Sequence, residues 1–176
     1  MMIRKWPIVI VLIVGVAFGY GQEYLKIAIN FASECAAYGD WDGLESAARV
    51  DQLEQCRLNR PSDYYHNHRP LLFLSQLGNN QISILKWSLA FIFILFYWGL
   101  ARWGLIKAFT KEFPLKILDI GSVLMGVICV GVFGAGKVLG LTPAYDVARE
   151  ILGALQSLIP FVVLVLGYSL YLRLNN

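Results

Sequence analysis

The sequence predicts an all-α integral membrane protein with four transmembrane helices, both termini cytoplasmic, and a small helical extracytoplasmic domain between helices 1 and 2. Three observations carry this expectation. Charged residues make up only 15% of the 176 positions and hydrophobic residues 57%, whereas soluble domains are about 25% charged. Apolar runs alternate with polar segments, and most of these runs can cross a hydrocarbon core about 30 Å thick. Lysine and arginine gather on the flanks that would share one side of the bundle.

The first run is the least regular. Arg4, Lys5, Trp6 and Pro7 lead into an apolar stretch that reaches Phe18. A basic start, a short apolar core and small residues at Ala17 and Gly19 also describe a cleavable signal peptide. The helical pattern nevertheless continues past Tyr20. Leu25, Ala28, Ile29, Ala32 and Ala36 fall on one helical face. The favoured reading is an uncleaved signal anchor over 1–22 that continues as a helix into the polar segment.

Residues 23–81 form the expected extracytoplasmic helical domain. Asp40-Trp41-Asp42-Gly43 reads as a helix start, because aspartate caps free backbone amides and complements the positive end of the helix dipole. Leu44 to Leu58 reads as a short helix with Val50, Leu53 and Cys56 on one side, closed by Pro61. Ser62 to Pro70 is turn-like. Leu71 to Leu77 is a short apolar segment ended by Gly78-Asn79-Asn80. Too few alternating positions occur for a β domain.

The remaining spans are expected at 82–101, 117–141 and 151–172. A basic cytoplasmic loop (102–116), a short outer loop (142–150) and a cytoplasmic tail (173–176) join and end them. The loop carries Arg102, Lys107, Lys111 and Lys116 against Glu112, Arg4 and Lys5 precede the first span, and Arg173 follows the last. Acids outnumber bases across 21–81, so all flanks agree on cytoplasmic termini. Trp6, Tyr97, Trp98, Trp103, Tyr168 and Tyr171 mark the inner boundary, and Tyr20, Tyr24 and Trp87 the outer one. A bacterial inner membrane suits the short basic N-terminus and compact loops.

Several residue groups invite a functional reading. Cys35 and Cys56 would face an oxidising compartment, where disulfides persist; a bridge between them contributes about 3 kcal/mol in the chain-entropy model. Their spacing fits no redox motif, and Cys129 sits in an apolar run. His66 and His68, with Asp63 nearby, are weak candidates for a metal site, since two imidazoles two residues apart need an extended loop and further ligands. Lys86, Lys137, Asp146 and Glu150 form an expected outer-leaflet charge network, and Asp119 is expected to pair with Lys116. The third span is glycine-rich. Its Gly131/Ala135 and Gly136/Gly140 pairs let another helix approach closely. Pro160 is expected to kink the fourth span. The second span, with Phe91, Phe93, Phe96, Tyr97 and Trp98, is bulky all round.

No nucleotide, hydrolase or zinc-protease motif occurs in the chain. A net charge of +3, with bases placed beside apolar runs, does not suit nucleic acid. The expected function is therefore that of a non-enzymatic accessory or assembly subunit of a larger membrane complex. It would act through its external domain and the glycine-rich third helix, in contact with lipid and other membrane subunits and without a cofactor. A homo-oligomer is open. A small oligomeric channel or transporter is the alternative, and an enzyme using the external His or Cys residues comes third.

Overall fold

The computed structural model describes residues 4–37, 39–59, 71–109, 113–140 and 142–174, and among them no strand occurs. Six α-helices run in the order α1 (Lys5–Ala36), α2 (Ser46–Leu58), α3 (Asn79–Ala108), α4 (Phe113–Leu139), α5 (Thr142–Leu155) and α6 (Ile159–Leu174). Short 3-10 helices lie at Trp41–Gly43 and Leu72–Gln76. α1, α3 and α4 are each long and apolar enough to cross a bilayer. The α5–α6 pair, bent by 65° at its break, supplies a fourth crossing if counted as one span. The chain is thus a multi-pass membrane protein.

Proline placement explains several helix starts. Pro7, Pro114, Pro143 and Pro160 all lie in the first turn of their helices. There a missing N–H costs nothing, because the first amides have no intrahelical acceptor. This corrects the expectation of one kinked helix over 151–172. The chain stops being helical at Gln156–Leu158 and restarts beyond it. Ser157 Oγ donates to the carbonyl of Ala154 at 2.7 Å and accepts from the amide of Ile159 at 3.2 Å. One hydroxyl therefore closes α5 and opens α6. Residues 142–150, expected as a loop, are helical, and α3 runs on to Ala108, well into the expected 102–116 loop.

The molecule comprises two compact units, one of Met1–Gly19 with Ile92–Asn176 and one of Tyr20–Phe91. In the first unit, α1 and α3 run antiparallel. The Arg4 amide meets the Ala108 carbonyl, Trp6 meets Trp103 edge-on at 6.1 Å, and Phe18 packs against Phe93, Phe96 and Tyr97. Phe93 and Tyr97 are thereby buried, whereas Phe91 remains exposed. The bulky second span is thus divided between a protein-facing and an outward side. Val11, Leu105 and Phe161 are almost fully buried at the centre. Gly104 makes their packing possible, since a Cβ there would lie 2.5 Å from Val11 and 2.9 Å from Phe161. α4 turns at Gly140, whose φ of 66° suits glycine, and α5 returns against it. The Cys129 thiol donates to the Ala148 carbonyl at 3.3 Å.

In the second unit, Ala28, Ile29, Ala32 and Ala36 of α1 are buried together with Trp41, Leu53, Leu74 and Ile82. The periodic face read from the sequence is therefore the one that packs. The apolar segment ends at Leu77 as expected, and Gly78-Asn79-Asn80 also opens α3.

Candidate functional site

The residues best placed to define a working surface are in the second unit. Cys35 near the end of α1 and Cys56 in α2 form a disulfide with Cα atoms 6.1 Å apart. The bridge joins the expected helical extension to the expected short helix. Gln52, one turn before Cys56, donates to the Cys35 carbonyl at 3.2 Å and reinforces the same junction.

Arg49 organises the rest. Its Nε donates to the Trp41 carbonyl at 2.9 Å, and Nη1 reaches the carbonyls of Ser75 and Leu77, each at 3.3 Å. These carbonyls lie in or just after the two 3-10 helices, where the backbone runs short of helical donors. A planar guanidinium with five donors suits this task. Its carbon also lies 5.6 Å from the centre of the Trp41 ring. Trp41 is almost fully buried and its indole N–H donates to the Leu77 carbonyl at 2.8 Å. Asp40 caps the first 3-10 helix through Gly43, not the helix expected from Leu44, which begins at Ser46 behind Glu45 with no side-chain cap. Asp42 instead reaches the start of α3 and accepts from the Asn79 amide at 2.9 Å. Gln81 completes that helix start by accepting from the Gly78 amide at 2.9 Å.

Two cations in this unit have displaced proton affinities. Lys26 is half-buried on α1, and burial pushes its ammonium below the ordinary lysine value, with Glu23 opposing the change. Arg57 is held more firmly protonated by its hydrogen bond to Glu54. Leu58, Leu72 and Phe73 are apolar yet exposed.

His66, His68 and Asp63 lie outside the described residues. Among the described residues, no group of three His, Cys, Asp or Glu side chains is arranged to hold a metal ion. Gly131, Ala135 and Gly140 are exposed on α4 and its turn, while Gly136 is buried. A Cβ at Gly131 or Gly140 would meet nothing within 4 Å. Lys86, Lys137, Asp146 and Glu150 are all exposed.

Asp119 requires a correction. It accepts from the Trp98 indole at 3.0 Å and pairs with Arg102, both on α3, whereas Lys116 is exposed. Arg102 also lies over the Trp98 ring at 5.3 Å. The spacing of Trp98 and Arg102, four residues apart on one helix, was the signal for a shared face. The partner on α4 could be found only in three dimensions. Arg49 carried no comparable signal, because its acceptors are backbone carbonyls distant in sequence.

Comparison with known protein families, with characterised proteins and with solved structures returns no match.

Proposed function

We propose that this chain is a non-enzymatic accessory or assembly subunit of a larger membrane complex and presents its second unit to a partner outside the cytoplasm. The observation that carries this reading is the cross-linking of that unit. The Cys35–Cys56 bridge, the Arg49 contacts and the Asp42 cap join the end of α1, α2, the two 3-10 helices and the start of α3 into one body. Such fixation is what a binding surface needs, because a preordered surface loses less conformational entropy on association. Leu72 and Phe73 are exposed beside the Ser75 and Leu77 carbonyls that Arg49 holds. They are the apolar anchors we assign to the contact.

In this reading both termini are cytoplasmic, the membrane is a bacterial inner membrane, and α4 contributes its exposed small residues to neighbouring subunits. The alternative of a small channel or transporter draws support from the break between α5 and α6, since discontinuous helices often bound ion and substrate sites in membranes.

Purification in mild detergent separates the two. Unrelated subunits should co-purify with the wild-type chain and be lost from a Leu72→Glu/Phe73→Glu variant that keeps its disulfide. A homo-oligomer that conducts ions in liposomes, without other subunits, would favour the channel. A reporter fused after Asn176 that is active outside the cytoplasm would overturn the orientation.

A further inference from the structure

α5 places charges at a depth that the sequence alone does not suggest. Lys116 and Lys137 are 21 residues apart on α4, a rise of about 32 Å, which matches a hydrocarbon core of about 30 Å. With α4 read as a span, these two lysines mark the two edges of the core. α5 then folds back into the core rather than lying outside it. The Cys129–Ala148 hydrogen bond sets the register, and Cys129 lies eight residues before Lys137, about 12 Å below that edge. Arg149 and Glu150 are therefore at nearly half depth, and Asp146 is about 9 Å deep.

All three side chains are exposed. Among the described residues, none of the three has an ion-pair partner within the chain. Lipid is a costly neighbour for Arg149 and Glu150 in particular, since a charged side chain at the bilayer centre costs about 2.5–3.5 kcal/mol even on the most lenient scale. The same helical face includes Gly153, which is exposed and has nothing within 4 Å of a built Cβ. A second helix can approach closely there.

We propose that this face of α5 is the contact between two copies of the chain. The charge pattern commits it to a second copy. Under a two-fold axis along the membrane normal, equivalent residues of the two copies lie at equal height. Arg149 of one copy is then about 1.5 Å in height from Glu150 of the other and about 4.5 Å from Asp146. A guanidinium with five donors can serve both carboxylates. Arg149 of each copy then faces the two carboxylates of the other. Lys137, nearer the surface, is the next available cation on α4.

The test is energy transfer between labelled copies of the full chain in phosphatidylcholine liposomes, diluted in lipid to give a dissociation constant. Wild type should dimerise. Arg149→Gln should weaken pairing by about tenfold or more. Arg149→Glu alone, and Asp146→Lys/Glu150→Lys alone, should each be monomeric. Mixing these two charge-reversed chains should restore transfer, a rescue that also demonstrates that both fold. A monomeric wild type, unchanged pairing in Arg149→Gln, or no transfer on mixing would each overturn the proposal. The experiment contains no other subunit, so its outcome is independent of whether the Leu72–Phe73 surface binds one.

Discussion

The hydroxyl of Tyr97 on α3 donates to the backbone carbonyl of Gly15 on α1 at 3.1 Å, in a buried position. Gly15 is also where the α5–α6 break comes to rest, because a Cβ there would lie 2.4 Å from Leu158. One glycine thus serves two close approaches, a hydrogen bond from α3 and a leucine from the break. Its missing side chain makes the second approach possible.

Two variants test this junction. Tyr97→Phe should cost about 0.6–1 kcal/mol, the range for an interhelical hydrogen bond in a membrane. Gly15→Val should cost about 1–3 kcal/mol by overpacking, with the loss reduced when combined with Leu158→Ala. Unfolding midpoints in mixed micelles read both, and a Gly15→Val cost unaffected by Leu158→Ala would remove the notch.

The disulfide should dominate the stability of the second unit. Cys35→Ser/Cys56→Ser is expected to lose about 3 kcal/mol. In the wild type both thiols should resist a maleimide until a reductant is added. Labelling of Cys35 and Cys56 without reduction would refute the bridge.

Arg49 should tolerate no conservative replacement. Arg49→Met removes the charged donor from the Trp41, Ser75 and Leu77 carbonyls, leaving the first with the Leu44 amide and the last with the Trp41 indole. It should cost about 2–3 kcal/mol, given that hydrogen bonds from charged donors contribute about 1.5–3. Arg49→Lys retains the charge but not the planar fork, so most of the loss should persist. The rate at which Cys35–Cys56 is reduced is a convenient reporter, and a fully stable Arg49→Lys chain would contradict the geometric argument.

Arg102 and Asp119 should behave as a coupled pair. Each single change, Arg102→Met or Asp119→Asn, leaves a charge without its partner, and the double variant should lose less than the sum of the two. A coupling of about 1 kcal/mol or more is expected in a double-mutant cycle. Additive losses would mean that the pair contributes nothing.

Lys26 sets a pH dependence. Its proton affinity is lowered in the folded chain by burial, so the unfolded chain binds more protons between the folded value and the ordinary one. Stability of the second unit should therefore rise with pH toward 10.5, the ordinary lysine value, because the cost of burying the charged form is then relieved. Thermal unfolding followed as pH rises toward 10.5 should show that slope, and Lys26→Met should reduce it.

The order of residues shows which segments are apolar enough to cross a membrane, because apolar length and the absence of charge are properties of consecutive residues. It also carried the face Ala28, Ile29, Ala32 and Ala36, and the Cys35–Cys56 pair, since helical period and two cysteines in one polar segment can be read along a line. The His66, His68 and Asp63 candidates fall outside the described residues. Tertiary structure alone decided the rest. Asp119 lies three residues from Lys116, yet its partner is Arg102, because helix packing brings α3 nearer than the adjacent turn does. Residues 142–150 look like a loop for their charges, but a helix that folds back on α4 can bury one face and leave Asp146, Arg149 and Glu150 on the other. Pro160 announces a disturbance. Whether it kinks a helix or starts a new one depends on Ser157 capping both ends and on Gly15 leaving room for Leu158. Those are distances between segments, and no local pattern encodes them.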